Sequence, residues 1–296
     1  MTLFRGLSAF PITPTDGSGD VDVEGVARLT TRLVDAGVDS IGLLGSTGGY
    51  PYLTRDARRC AIRAAVSAVR GRTPIMVGIG ALRTDDVLRH AADAEAEGAD
   101  ALLLAPMSYI PLTQDEVFHL FVAAASATRL PLCVYNNPGT TNFVFTPALI
   151  ARLAELPGVA AIKMPLPNAT TVASELVALR NGSAARLAIG YSADWGMAEA
   201  LLSGADAFYS VAAGLLPKRV TALVRAAASG NASEARRLDA HLHPLWALFQ
   251  EHGSFRVCYA ALEILGVCRV EPPKPVLPLK DLAKARVREV LEGLGE

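Results

Sequence analysis

Short apolar runs followed by amphipathic stretches recur along the chain at an interval of roughly 30 residues, the length of one strand–helix unit. Eight such runs occur, at residues 7–11, 40–45, 74–78, 100–105, 131–135, 159–164, 186–190 and 206–211. Nearly all are continuous rather than alternating, the pattern of parallel strands covered on both faces. The stretches at 22–36, 54–70, 84–97 and 113–128 each open with a Thr or Asp able to cap free backbone N–H groups. Gly37, Gly71 and Gly98 stand where a left-handed residue would close a helix. Eight units in strict alternation predict a closed (β/α)8 barrel rather than an open doubly wound sheet, which usually shows fewer units. From about Lys218 the pattern becomes helical only, with helices expected at 232–250, 255–265 and 281–294. Glu271-Pro-Pro-Lys-Pro275 interrupts them, because proline lacks a donor and restricts the residue before it. The expected organisation is a barrel over residues 1–225 carrying the active site, followed by a C-terminal helical region over 226–296.

The 296 residues include 28 Lys+Arg and 29 Asp+Glu, a net charge of −1, which leaves no basic excess to neutralise a phosphate backbone. Nucleic acid is therefore not an expected partner. Hydrophobic residues make up 51% of the chain, yet no stretch of about 18 uncharged apolar residues occurs, so no membrane association is expected either. The first ten residues lack an apolar targeting region, and the reading is a cytoplasmic protein. Cys60, Cys133, Cys258 and Cys268 have no CxxC spacing, and three of them lie in apolar runs, as reduced buried thiols do. His241 and His243 are two residues apart, which on a helix points them to different faces. No metal site is expected.

Catalytic groups in a barrel come from the C-terminal ends of its strands. Those ends are rich in polar residues: Gly45-Ser46-Thr47-Gly48-Gly49 after the second run, Pro106-Met107-Ser108-Tyr109 after the fourth, and Tyr135-Asn136-Asn137-Pro138-Gly139 after the fifth. Lys163 closes the sixth, Gly190-Tyr191-Ser192 the seventh and Tyr209-Ser210 the eighth. Lys163 is the sharpest signal, because Val159-Ala-Ala-Ile-Lys-Met-Pro165 is otherwise free of polarity. Burial disfavours an ammonium, and the free amine that it favours is a nucleophile for carbonyls. The competing reading is a lysine that snorkels from the strand end or pairs with a carboxylate. The glycine-rich segment lacks the lysine of a phosphate-binding loop, so it is either a flexible turn or a cradle whose N–H groups at Ser46 and Thr47 hold a small carboxylate. Tyr109 and Tyr135 either cap the barrel with satisfied hydroxyls or serve as acid–base groups.

In this order, the residues resemble the dihydrodipicolinate synthase / N-acetylneuraminate lyase superfamily of pyruvate-dependent class I aldolases, over essentially the whole chain. Ser46 and Thr47 in GSTGG are similar to the family's GTTGE loop, Tyr135 in YNNPGT to its YNxPxRT tyrosine, and Lys163 to its Schiff-base lysine. Tyr109, counted without gaps through GADALLLAPMSY, matches the second tyrosine of the family's PPYY segment. The resemblance implies a homo-oligomer, dimer or tetramer, in which that tyrosine completes a proton relay in a neighbouring subunit. It also implies that Lys163 forms the Schiff base with the 2-oxo acid, with no metal or other cofactor, while Tyr135, Ser46 and Tyr109 move protons. Ser46, Thr47, Thr140, Gly190, Tyr191, Ser192, Tyr209 and Ser210 are the expected substrate contacts, with Asp194 near them. Gly49 stands where the family usually has Glu, and Thr140 where the synthases carry an Arg for the carboxylate of their aldehyde. Tyr50, Arg55, Arg58 and Leu82 do not match the synthases' lysine-feedback site.

The expected function is thus a Schiff-base-forming class I aldolase or lyase acting on pyruvate or a 2-keto-3-deoxy acid, with an aldehyde as second partner. It is read as synthase-like but distinct from a true dihydrodipicolinate synthase, with neutral, hydroxyl-bearing aldehydes as its partners. The alternatives are a 2-keto-3-deoxy sugar-acid dehydratase using the same lysine, 4-hydroxy-tetrahydrodipicolinate synthase itself, and a non-catalytic barrel that binds 2-oxo acids.

Overall fold

In the computed structural model, which describes residues 3–167, 171–182 and 184–296, eight parallel strands close into one barrel in chain order. They are β1 (Gly6–Ala9), β2 (Ser40–Leu43), β3 (Ile75–Gly78), β4 (Ala101–Leu104), β5 (Leu132–Tyr135), β6 (Val159–Pro165), β7 (Ala188–Ser192) and β8 (Ala207–Ser210). Pairing of β8 with β1 completes the ring, and each apolar run of the sequence overlaps one strand. Successive side chains point to opposite faces of a strand, so each strand feeds two cores. Leu7, Ile41, Val77 and Ile162 pack outward with the helices, whereas Met76, Leu103, Cys133 and Ala161 fill the barrel's interior.

Asp22, Thr54 and Thr113 cap their helices as expected, each accepting from an N–H in the first turn. Thr84 does not: it is the first residue of the helix Thr84–Ala96, and Asp85 and Asp86 place negative charge on that first turn instead. Gly37, Gly71 and Gly98 adopt φ values of 73°, 70° and 90°, the left-handed conformation inferred for them. After β8 come a short helix (Ala212–Leu215) and the helices Pro217–Ala228, Ala232–His252, Ser254–Ile264 and Asp281–Gly293. Ser254–Ile264 packs on the short helix after β8, which brings its first turn to the mouth of the barrel. Among the described residues no helix is long and apolar enough to cross a membrane.

The loop after β2 is held by a close backbone contact and a buried cation. Leu44 has φ 53°, unusual for a branched residue, and its carbonyl lies so near Gly78 that a Cβ there would be 1.8 Å from the oxygen. Arg58, 6% exposed, donates to the carbonyls of Tyr50 (2.8 Å) and Gly80 (3.1 Å) and stacks over the Tyr50 ring. Burial lowers this guanidinium to about 10, which leaves it charged at neutral pH. Gly78→Ala should therefore destabilise the protein by about 1–3 kcal/mol, the usual cost of overpacking. A lowered urea midpoint with an unchanged m-value is the expected reading, and an unshifted midpoint would show that the Leu44 turn relaxes freely.

Candidate active site

One cavity of about 910 Å³ opens at the C-terminal ends of the strands. Lys163, Tyr135, Ser46, Thr47, Tyr109, Thr140, Ser192 and Tyr209 all line it. Lys163 is 5% exposed, and its Nζ lies 4.2 Å from the centroid of Tyr135, 4.3 Å from Phe10 and 5.7 Å from Tyr209. Each ring presents a face with partial negative charge to the amine, which offsets part of the cost of burying it. The rings reach that position because neighbouring side chains are missing. A Cβ on Gly42 would lie 2.3 Å from Phe10 Cζ, and one on Gly190 would lie 2.5 Å from Tyr209 Cε2.

The register places Tyr135 beside Lys163 on adjacent strands and Lys163 beside Gly190 on the next. The Tyr135 hydroxyl lies 3.2 Å from Ser46 Oγ and accepts from Asn137 Nδ2 at 2.9 Å. Burial pushes the Tyr135 phenol up, but the Lys163 charge and the hydrogen bonds of Ser46, Asn137 and Lys163 outweigh it, so the phenol sits below its ordinary value. Tyr209 shows the opposite balance. It is 1% exposed, its hydroxyl meets Cys133 Sγ at 3.6 Å inside the barrel, and burial raises it well above the ordinary value. Of the two phenols beside the amine, Tyr135 is the more acidic.

Several residues expected to contact substrate are turned elsewhere. Tyr191 is fully buried on the outer face of β7, where its hydroxyl donates to Glu175 Oε1 at 3.3 Å. The strand's alternation sends Tyr191 outward and leaves Ser192 at the cavity. Gly190 makes space for Tyr209 rather than lining the mouth. Ser210 is fully buried, donates to Asp194 and accepts from the Ala213 N–H at 2.9 Å, a role in starting the short helix after β8. Thr140 is exposed at the cavity and donates to the Asn137 carbonyl at 3.3 Å. Tyr109 is 90% exposed and has no hydrogen bond to Ser46 or Tyr135 among the described residues. The N–H groups of Ser46 and Thr47 have no acceptor among the described residues, and Thr47 is 7% exposed.

A sequence profile of the dihydrodipicolinate synthetase family matches residues 3–294. The chain belongs to this family. Relatives include proteins named 4-hydroxy-tetrahydrodipicolinate synthase from Alcanivorax borkumensis and a Synechococcus strain. The first is 31% identical over 99% of this chain and 98% of its own; the second is 35% identical over 99% and 96%. A crystal structure described as dihydrodipicolinate synthase from Agrobacterium tumefaciens superposes with a TM-score of 0.97 at 58% identity, covering 99% of both chains. YagE, a family protein from Escherichia coli solved in complex with pyruvate, superposes at 0.91 with 25% identity over 99% of each chain. The family's members are lyases of the class I aldolase type.

Within this family frame, two residues at the amine were assigned no role from the sequence. Asn137 follows Tyr135 by two positions in YNNPG, and its proximity in the chain was the available signal. Phe10, just after β1, gave none, because its contact with Lys163 is set by closure of the barrel. The Tyr135 balance is directly measurable. The tyrosinate component of a spectroscopic pH titration that disappears in Tyr135→Phe should lie below 10.0, the phenol's ordinary value. Lys163→Met removes the charge and leaves only the Ser46 and Asn137 hydrogen bonds against burial, so the component should move upward; no movement would show that the two groups are uncoupled.

Proposed function

We propose that this chain is a Schiff-base-forming class I aldolase or lyase acting on pyruvate or a 2-keto-3-deoxy acid. The observation that carries the reading is the Lys163 amine, enclosed by three rings and adjacent to a phenol of lowered pKa, at the floor of the cavity. In the proposed reaction the Lys163 ammonium first gives up a proton by way of Tyr135, the free Nζ adds to the C2 carbonyl, the carbinolamine takes that proton on its oxygen, and water leaves to give the protonated imine. The imine draws electrons from C3, which loses a proton to form an enamine. The enamine carbon adds to an aldehyde, or the same steps in reverse cleave the C–C bond of the longer acid. Tyr135 carries the protons, with Ser46 as its hydroxyl neighbour, and the unpaired N–H groups of Ser46 and Thr47 hold the carboxylate. The imine is itself the electron sink, so the proposed reaction calls for no metal or organic cofactor.

YagE's complex with pyruvate supports that 2-oxo acid as the common partner. The relatives' names favour a second reading, 4-hydroxy-tetrahydrodipicolinate synthase itself. Thr140 argues against it only at its own position, where a hydroxyl cannot supply the charge that the synthases' guanidinium offers the carboxylate of their aldehyde. Elimination of a hydroxyl from the same imine would give the dehydratase. The organisation that fits is a barrel over 1–225 performing the chemistry and helices over 226–296 buttressing it. Tyr109, Ile110 and Leu82, 90%, 66% and 61% exposed beside the mouth, suit burial against a second copy in a dimer or tetramer; a single-chain mass in sedimentation would overturn that assembly. Four free cysteines accord with a reducing, cytoplasmic setting.

Borohydride reduction in the presence of pyruvate should add mass at Lys163, and Lys163→Arg should abolish the adduct because guanidinium stays protonated. An adduct on Lys218, Lys274, Lys280 or Lys284 with Lys163 unmodified would overturn the assignment. In steady-state assays, kcat/KM for cleavage or dehydration of 2-keto-3-deoxy acids should exceed that for condensation with aspartate semialdehyde. Product identity separates cleavage from dehydration, and a semialdehyde advantage of about tenfold, 1.4 kcal/mol, makes the synthase reading the right one.

A further inference from the structure

The cavity's charges are unevenly spent. Its lining contains two cationic side chains, Lys163 at the floor and Arg256 in the first turn of the helix Ser254–Ile264. The lining carboxylate, Asp194, is 2% exposed and committed, receiving Ser210 Oγ and the N–H groups of Val211 and Ala212 at 3.2 Å. Arg256 is exposed, lies between this cavity and a smaller one that Glu263, Glu271 and Asp281 also line, and among the described residues forms no hydrogen bond or ion pair with any of them. This sets it apart from arginines such as Arg55, Arg63 and Arg286, each of which is bound to a carboxylate.

Hydroxyl recognition, the other way to hold a long substrate, falls to neutral groups such as Ser108, Thr140, Thr141 and Ser192, none of which supplies a charge. The hydroxyls of Tyr191 and Ser210 point away from the cavity into bonds of their own, and that of Tyr209 points down to Cys133. A substrate whose first carboxylate and carbonyl sit at the floor therefore extends toward a mouth whose charged donor is a free guanidinium. From this juxtaposition we infer that Arg256 is a specificity-determining residue that selects 2-oxo acids carrying a second anionic group at the far end. The inference rests on the Schiff-base reading for the position of the first carboxylate. Guanidinium forms paired, charge-assisted hydrogen bonds with carboxylate and phosphate alike, so the shared chemistry is a terminal oxyanion.

The test compares 2-oxoadipate with 2-oxohexanoate, which have the same carbon count and differ in the terminal charge. Half-saturation of borohydride trapping at Lys163 should come at a concentration roughly tenfold or more lower for 2-oxoadipate. Arg256→Ala should bring the two within about twofold of each other, Arg256→Lys should retain part of the preference, and pyruvate trapping should be unchanged in both variants. Because the guanidinium is exposed, added salt should erode the preference. Trp195, 41% exposed in the cavity lining, gives a second readout by fluorescence quenching that does not need the imine; Trp246 is 2% exposed and remote from the cavity lining. If pyruvate fails to trap at Lys163, the Schiff-base reading fails while the Trp195 signal still decides Arg256. Equal affinities by fluorescence, or a preference that survives in Arg256→Ala, overturn the inference. A 2-keto-3-deoxy aldarate and a phosphorylated 2-keto-3-deoxy sugar acid, titrated side by side, distinguish a carboxylate from a phosphate as the natural terminus.

Discussion

Enclosing an amine among aromatic rings is the constraint on which the rest of this structure turns. An isolated buried ammonium is costly, and the faces of Phe10, Tyr135 and Tyr209 return part of that cost, up to about 2 kcal/mol for a desolvated contact. The same enclosure lets the charge act strongly on whatever lies beside it, since little water screens it. Tyr135 feels this on a buried hydroxyl held by Ser46 and Asn137, and its proton is loosened. Tyr209, an equally buried phenol with its hydroxyl turned toward a thiol, has its proton held more tightly. Environment gives two chemically identical groups different capacities, as acid–base sites require.

The parts of the design that depend on period and composition were legible in the sequence. Continuous apolar runs separated by capped helices specify a parallel barrel, and a single lysine in such a run is conspicuous before any coordinates exist. Tyr135 and Ser46 stood out as polar residues at strand ends that converge on one mouth, and the family resemblance supplied their roles. Side-chain direction was harder. Tyr191 and Ser192 are adjacent, equally polar and at the same strand end, yet only the parity of β7 within the closed ring decides which faces the cavity. Ser210 looked available and is used to organise the turn after β8. Contacts between distant segments, such as Phe10 over Lys163 or the first turn of Ser254–Ile264 at the mouth, have no local periodicity to reveal them.

The C-terminal helices have a bearing on the site despite lying outside the strand–helix repeat. By packing on the short helix that follows β8, Ser254–Ile264 brings Phe255 and Arg256 to a cavity built mainly from barrel strands and the loops after them. A chemical floor and a rim supplied by a separate segment can change independently, which is how one barrel architecture accommodates many substrates. In this chain Thr140, in the single helical turn Pro138–Thr141, carries no charge while the rim from Ser254–Ile264 does.

Gly190 and Tyr209 share one volume: the space vacated by the missing side chain is filled by the ring. Their combined effect is on water. The Tyr209 ring, its centroid 5.7 Å from Lys163 Nζ, fills volume on that flank that water would otherwise take, so it limits the approach of water to an imine formed there. Shrinking Tyr209 without refilling the space would create a polar-edged hole beside a cation, a place that water readily occupies. The pair thus narrows the wet face of the bond between protein and substrate.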